Sequence, residues 1–252
     1  MTEHIRLKQE DGVLEITFAR PDKKNALSNA MYRAASEALN AAQQDSTIRV
    51  VLFSAEGDAF TAGNDLGDFA NAENSEPQAG VFIRSIIQAE KPIVAAVQGL
   101  AVGVGTTMLL HCDLVYVAET AKLTAPFVNL ALVPEAGSSR LLPARIGHVR
   151  AFAMFALGEP VTGSEAVAIG LANRSAPRDE VRQVAWDAAK RLATKPLGSV
   201  VATKRLMRDM DGLAAHLATE SHQFGERMRS DEAKEAFEAF AERRPPDFTK
   251  FA

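Results

Sequence analysis

The sequence predicts an α/β fold with a helical C-terminal module, and three observations predict it. Short apolar stretches of strand character alternate with amphipathic helical stretches over the first two-thirds of the 252 residues. Two of the strands run into glycine-containing loops, "FTAGND" at 60–65 and "GLAVGVG" at 99–105. From Asp179 onward only helical periodicity is left, so the chain divides into a core over 1–195 and a helical module over 196–252, with Pro196 at the boundary.

Each element follows from its residues. "VLEITF", Val13 to Phe18, alternates as a strand does, and "ARPDKKN" after it is turn material. Ser28 caps a helix to about Gln44, whose Met31, Ala34, Ala35, Ala38, Leu39 and Ala42 recur at helical spacing. "IRVVLF", Ile48 to Phe53, is a buried strand, and "SAEGDAFTAGND" its loop. "AGVFIRSIIQAE" is helical; "KPIVAAVQG" is a second buried strand leading into the second glycine loop, with a helix opening at about Gly105 and continuing through "TTMLLHC". Strands "DLVYVA" and "KLTA" follow, then "LALVPEAGSSRLLPARIG", where Glu135 stands between an apolar stretch and a helix start. Further helices begin near Val149 and at Thr162, where Thr162 and Glu165 have the spacing of a capping box. The last helices carry Phe224, Met228, Phe237 and Phe240 on partly polar segments. Packing on their own domain and packing on another subunit both account for them.

Composition narrows the function. The chain is 47 % hydrophobic and 24 % charged with a net charge of −4, which speaks against binding nucleic acid, since phosphate neutralisation needs clustered Lys and Arg. The one cysteine, Cys112, allows no intrachain disulfide and fits a reducing compartment. The charged N-terminus lacks a signal-peptide core, and no apolar run reaches the roughly 18–20 residues that cross a bilayer, so a cytoplasmic protein with no membrane partner is expected.

Most familiar chemistries are missing. "GVGTTM" lacks the third glycine of a dinucleotide fingerprint and lies mid-chain. The five histidines have no ligand spacing, so no metal is expected. Ser138-Ser139 lacks the Gly-x-Ser-x-Gly elbow and has no evident histidine partner, which makes a nucleophilic serine improbable. Two features are left: the glycine loops, each a plain turn or a backbone N–H donor to one oxygen, and Glu135, a solvent-facing turn residue or a buried acid.

The order and spacing of five segments favour the functional reading of both. "RPDKKNAL" (20–27), "AFTAGNDLGDF" (59–69), "KPIVAAVQGLAVGVGTTMLLHCDLVYVAE" (91–119), "LVPEAGSSRLLPARIG" (132–147) and "GEPVTGSEAVAIGLAN" (158–173) resemble the crotonase superfamily, the enoyl-CoA hydratase/isomerase family, over essentially the whole chain. The resemblance implies a spiral of ββα units ending in helices used for trimerisation, hence a homotrimer or a dimer of trimers. It implies an acyl-CoA thioester as substrate, with no separate cofactor because coenzyme A belongs to the substrate. It also implies an oxyanion hole from the backbone N–H groups of Asn64 and Val104, which follow Gly63 and Gly103.

The resemblance further implies which branch this is. Hydratases of the family use two glutamates; the matching positions here hold Thr107 and Phe127. The isomerase branch carries one acid in "PEGG" or a close variant, here Pro134-Glu135-Ala136-Gly137. The expected activity is therefore Δ3 to Δ2 enoyl-CoA isomerisation, with Glu135 as lone acid/base. A ring-type enoyl-CoA isomerase, a hydratase-like enzyme and a non-catalytic acyl-CoA binding subunit are the alternatives. The same comparison assigns Ala26, Leu27, Ala62, Gly63, Asp65, Leu66 and Gly103 to the CoA-binding surface, with Lys23 or Lys24 near the phosphates or simply solvated. Phe69, Phe82, Ile86 and Phe127 are expected in the acyl pocket wall, and Lys250 and Phe240 match, in type, residues that reach a neighbouring subunit's ligand.

Overall fold

The computed structural model describes residues 2–65, 67 and 78–251. The N-terminal stretch, which the sequence reading left without structure, is a strand: β1 (Ile5–Glu10) pairs antiparallel with β2 (Val13–Phe18). Only Ile5 of β1 is buried, so the strand has no apolar face to advertise it. Helix α1 (Asn29–Gln44) starts as expected, with the Ser28 hydroxyl accepting the Met31 N–H. β3 (Val50–Ala55) and β4 (Ala59–Thr61) come next, then α2 (Gln78–Gln88), β5 (Ile93–Val97) and β6 (Leu100–Val102). Both glycine loops thus contain a short strand, which three-residue segments cannot signal by periodicity.

The second loop opens α3 (Val104–Thr107), one residue earlier than expected, continued by a 3₁₀ turn at Met108–His111. β7 (Leu114–Ala118) and β8 (Lys122–Thr124) lead to α4 (Ser138–Ile146) and α5 (His148–Phe152). β9 (Val161–Thr162), α6 (Gly163–Ala168) and β10 (Arg174–Ala176) follow, the Thr162–Glu165 capping box being present in full. The rest is helical: α7 (Val181–Ala193), α8 (Leu197–Leu206), α9 (Met210–Met228) and α10 (Asp231–Glu242).

The strands form two sheets. One runs β1-β2-β3-β5-β7-β10, parallel from β2 onward; the other runs β4-β6-β8-β9, with only β8–β9 antiparallel. Three successive strand pairs, β3/β4, β5/β6 and β7/β8, each give their first member to the larger sheet and their second to the smaller. That is a spiral of repeated ββα turns, the fold the resemblance implied.

Side-chain alternation divides the core. Val13, Val50, Leu52, Val94 and Ala96 face α7, whose Val181, Ala185 and Ala189 cover them. The intervening Leu14, Ile16, Val51, Phe53, Ile93 and Ala95 face the interior of the spiral. There Phe18, Phe53, Phe60 and Phe82 stack as tilted or edge-on neighbours at 5.4–6.0 Å. The rigid strands hold the loops that follow them, and those loops build the site. Phe224, Met228 and Phe237 pack on this same core, whereas Phe240 is exposed, so the first three need no second subunit to explain them.

Candidate active site

Two chain segments meet where the glycine loops lie side by side. Leu27 and Asn64 form an isolated parallel bridge: Leu27 N–H donates to Gly63 O at 2.8 Å and Asp65 N–H to Leu27 O at 3.0 Å. In a parallel bridge the residue between those two bonds directs its own N–H away from the partner strand, so the Asn64 amide is left over. Gly63 holds φ +93, and a Cβ there would stand 3.1 Å from Val102 O. This close approach brings the first loop against the second.

Gly103 (φ 55, ψ −115) precedes α3 in a conformation that favours glycine strongly, and its C=O accepts the Thr106 and Thr107 N–H groups. The Val104 N–H belongs to the first turn, where no carbonyl is available inside the helix. Among the described residues neither the Asn64 nor the Val104 N–H has a protein acceptor. Both residues line one cavity of about 690 Å³, together with Leu27, Tyr32, Asp65 and Glu135. Its remaining wall is largely apolar, with Ala79, Ile83 and Ile87 from α2 and Leu217, Phe224 and Met228 from α9.

Glu135 is partly exposed where it lines this cavity. Burial pushes its pKa up from the usual 4.5 to about 7; the Thr107 hydroxyl, donating to Oε1 at 2.6 Å, pulls it down, and the negative charge of Glu220 adds to the rise. Asp65 also lines the cavity, but its carboxylate is tied to Arg20 at 2.6 Å. Tyr32 donates to Asn64 Oδ1 and stays a phenol, because burial first and the neighbouring Glu135 second hold its pKa well above the usual range. The turn after Glu135 has two consecutive left-handed residues, Ala136 (φ 60) and Gly137 (φ 72). An L-residue such as Ala136 is held there at a steric cost of about 1–2 kcal/mol, and the His111 ring Nε2, 2.7 Å from Ala136 O, is its anchor.

Chemically, two unpaired N–H donors and one carboxyl near neutrality bordering a largely apolar cavity can stabilise an oxyanion and move a proton. Thr107 tunes that carboxyl. Replacing it by the isosteric valine (T107V) removes a donor that favours the charged form, so the Glu135 pKa should rise further above about 7. The acid limb of any rate that needs ionised Glu135 should move to higher pH by about one unit or more, readable from a pH profile of the variant.

Of the other residues named from sequence, Leu27 and Asp65 line the cavity, while Ala62, Gly63 and Gly103 lie in the backbone behind it. Ala26 offers its C=O to Arg20 at 3.1 Å. Lys23 and Lys24 are exposed and outside the cavity wall, Lys24 being paired with Asp58. Leu66 and Phe69 fall outside the described residues. The pocket-wall expectation needs correcting. Phe82 and Ile86 face the spiral core and Phe127 packs on Phe155, so the wall of α2 is formed by the neighbouring stripe, Ile83 and Ile87. Lys250 binds Glu235 of its own chain at 2.5 Å.

Ser139 does have a histidine partner: its Oγ lies 2.7 Å from His216 Nε2 and also donates to Glu220. The lack of an evident partner in the sequence reflects their separation of 77 positions. Among the described residues no group of three His, Cys, Asp or Glu is placed to hold a metal ion, and no helix is long and apolar enough to cross a membrane.

Comparison with known proteins matches the chain to a family. The model of the enoyl-CoA hydratase/isomerase family matches residues 8–250. Rat (Rattus norvegicus) enoyl-CoA delta isomerase 2 is 34 % identical over 251 residues, 96 % of this chain, and the chain spans 64 % of that relative's length. The 1,2-epoxyphenylacetyl-CoA isomerase of Escherichia coli is 29 % identical, covering 99 % of both chains. A crystal structure of an enoyl-CoA hydratase/isomerase from Pseudoalteromonas atlantica superposes with a TM-score of 0.94 at 40 % identity, over 98 % of this chain and all of that one. The chain belongs to the enoyl-CoA hydratase/isomerase family and has its crotonase fold.

Proposed function

We propose that the protein is an acyl-CoA double-bond isomerase that converts Δ3-enoyl-CoA to Δ2-enoyl-CoA. The observation that carries this reading is the Glu135 carboxyl, with its pKa near 7 and, among the described residues, no cation paired to it, bordering the same cavity as the Asn64 and Val104 amides. Thr107 and Phe127 stand where a hydratase would carry its two acids. The thioester oxygen rests between the two amides. Ionised Glu135 takes a proton from C2, the C–H electrons move toward the carbonyl, and a dienolate forms with its charge on the thioester oxygen. The same carboxyl, whose proton can exchange with solvent while the dienolate lasts, then gives a proton to C4, the C2=C3 bond forms and the carbonyl is restored; return of an exchanged proton to C2 instead regenerates the substrate with solvent hydrogen there. Nothing is added and nothing leaves, so one acid suffices. A second ionised carboxylate would oppose the anion.

Each amide is worth about 3–4 kcal/mol of the barrier, and the acid/base about 10²–10⁴-fold in rate. Coenzyme A arrives as part of the substrate and no further cofactor is required. The helical residues after 196 form the trimerisation module of a homotrimer or a dimer of trimers in the cytoplasm. A ring-type reaction using the same Glu135 is the second reading, favoured by full-length similarity to the E. coli 1,2-epoxyphenylacetyl-CoA isomerase.

A panel of 3-enoyl and 2-enoyl thioesters in deuterated water tests the proposal. Isomerisation of 3-hexenoyl-CoA with deuterium exchange at C2 is expected, its rate rising with pH as Glu135 ionises through about 7. Hydration of 2-hexenoyl-CoA without isomerisation of the 3-enoyl thioester would refute it.

A further inference from the structure

Resting on that reading of Glu135, we infer that Glu220, from α9, is a positioning residue for the acid/base: from outside the cavity it clamps the turn that carries Glu135 and faces it with a second buried carboxylate. Glu220 is 6 % exposed and does not line the cavity. Its Oε2 accepts the Gly137 N–H at 2.5 Å, and its Oε1 accepts the Ser139 N–H at 2.9 Å together with the Ser139 hydroxyl. Gly137 is the N-cap of α4 and has no side chain to cap with, so N–H groups orphaned at the start of that helix are satisfied by a carboxylate 81 to 83 residues further along the chain.

On the other side of the same turn, His111 holds the Ala136 carbonyl at 2.7 Å. Burial lowers the His111 pKa to about 4, so near neutrality the ring is uncharged and donates from Nε2. Glu135 is thus gripped at three places: by Thr107 on its carboxyl, by His111 one residue on, and by Glu220 two to four residues on. The pieces come from α3, the 3₁₀ turn after it, and the C-terminal helices.

Geometry makes Glu220 a clamp; charge makes it more. Among the described residues, Tyr32 from α1, His111, Glu220 and His216 are titratable groups about this turn, His216 sitting one turn before Glu220 on α9 at 3.5 Å from its Oε1, while Asp65, paired with Arg20, and Arg84 border the cavity that Glu135 lines. Tyr32 and His111 are uncharged at neutral pH. Glu220 is the neighbour whose charge raises the Glu135 pKa, after burial. A cap whose charge did not reach Glu135 would alter stability and leave the titration of Glu135 where it is.

The test is the pH profile of C2 deuterium exchange on 3-hexenoyl-CoA, in the full-length protein, with hexanoyl-CoA affinity measured beside it. In E220Q the side chain keeps its shape and loses its charge. The acid-limb midpoint should fall by about half a pH unit or more, the plateau should drop about tenfold as the turn loosens, and hexanoyl-CoA should bind within about twofold of wild type. In E220D the charge stays and the reach shortens, so the midpoint should hold while the plateau falls. H216Q should keep the wild-type midpoint.

An E220Q protein with the wild-type midpoint overturns the inference, whatever its plateau, and so does a midpoint that moves as far in H216Q. If E220Q does not fold, an E220D midpoint that shifts as the plateau falls overturns it, and an unmoved one supports it. An E135Q control separates the two levels. Exchange retained in E135Q sinks the acid/base assignment and this inference together. Exchange lost in E135Q, with an unmoved midpoint in E220Q, sinks this inference alone.

Discussion

Replacing Glu135 by Gln (E135Q) should cut turnover of 3-hexenoyl-CoA by about 10²–10⁴-fold while hexanoyl-CoA binds as before. Glutamine keeps the shape and can still accept the Thr107 hydroxyl, so the loss isolates proton transfer from packing. The same substitution should stabilise the fold at alkaline pH. A carboxyl whose folded pKa is about 7, against the usual 4.5, holds its proton longer in the folded chain than in the unfolded one. Stability therefore falls as pH rises from about 4.5 to about 7, by on the order of 3 kcal/mol at most. E135Q buries no charge and escapes that loss. Thermal melts at pH 8 should show the variant above wild type, with the gap narrowing as pH falls toward 4.5. A rate loss accompanied by a lower melting temperature at pH 8 would point to misfolding and remove the support for the acid/base role. A variant with wild-type turnover would end the assignment outright.

What the sequence could reveal depended on how local the cause was. Glu135 between an apolar stretch and a helix start was readable, and so were the two glycine loops, because a short-range pattern and the order of five segments carried them. The Thr162–Glu165 capping box was readable because its partners are three residues apart. The face of α2 was not. Phe82 and Ile83 are adjacent and both apolar, and only the packing of Phe82 against Tyr32 and Phe53 decides that Ile83 turns to the cavity. Thr107 looked like an absence, a place where an acid was missing, and its hydroxyl turned out to hold Glu135 across 28 residues. Glu220 and His216 sit on a helix whose pattern marks them as ordinary polar positions, since a partner some 80 residues away leaves no periodic trace. Ala136, which stands where the resemblance implied a glycine, adopts the left-handed conformation all the same, anchored by His111, whose chain neighbours point elsewhere: Cys112 toward Met108 O and Asp113 toward Lys204.

Gly63→Ala (G63A) should cost the enzyme turnover through a single methyl. The residue sits at φ +93, and the added Cβ would press on Val102 O at 3.1 Å. That carbonyl is followed directly by Gly103 and Val104, while Gly63 itself is followed by Asn64. One methyl would therefore push apart the two backbone segments whose amides must converge on one oxygen, with rigid backbone on one side and no flexible side chain to give way. Loss of one oxyanion donor costs about 10²–10³-fold in kcat, and a displacement that weakens both should reach at least the lower figure. Backbone strain alone would also destabilise the protein, so the comparison is Gly12→Ala (G12A). Gly12 has a similar φ of +78, but its Cβ would meet Arg49 Cδ, the movable part of a long side chain, at 3.3 Å. Both variants should melt lower than wild type. Only G63A should lose turnover per folded molecule, and its affinity for hexanoyl-CoA should fall far less than its rate, because the amides grip the dienolate oxygen harder than the ground-state carbonyl. Equal rate losses in the two variants would trace the effect to strain and leave the Asn64 and Val104 amides without a catalytic role.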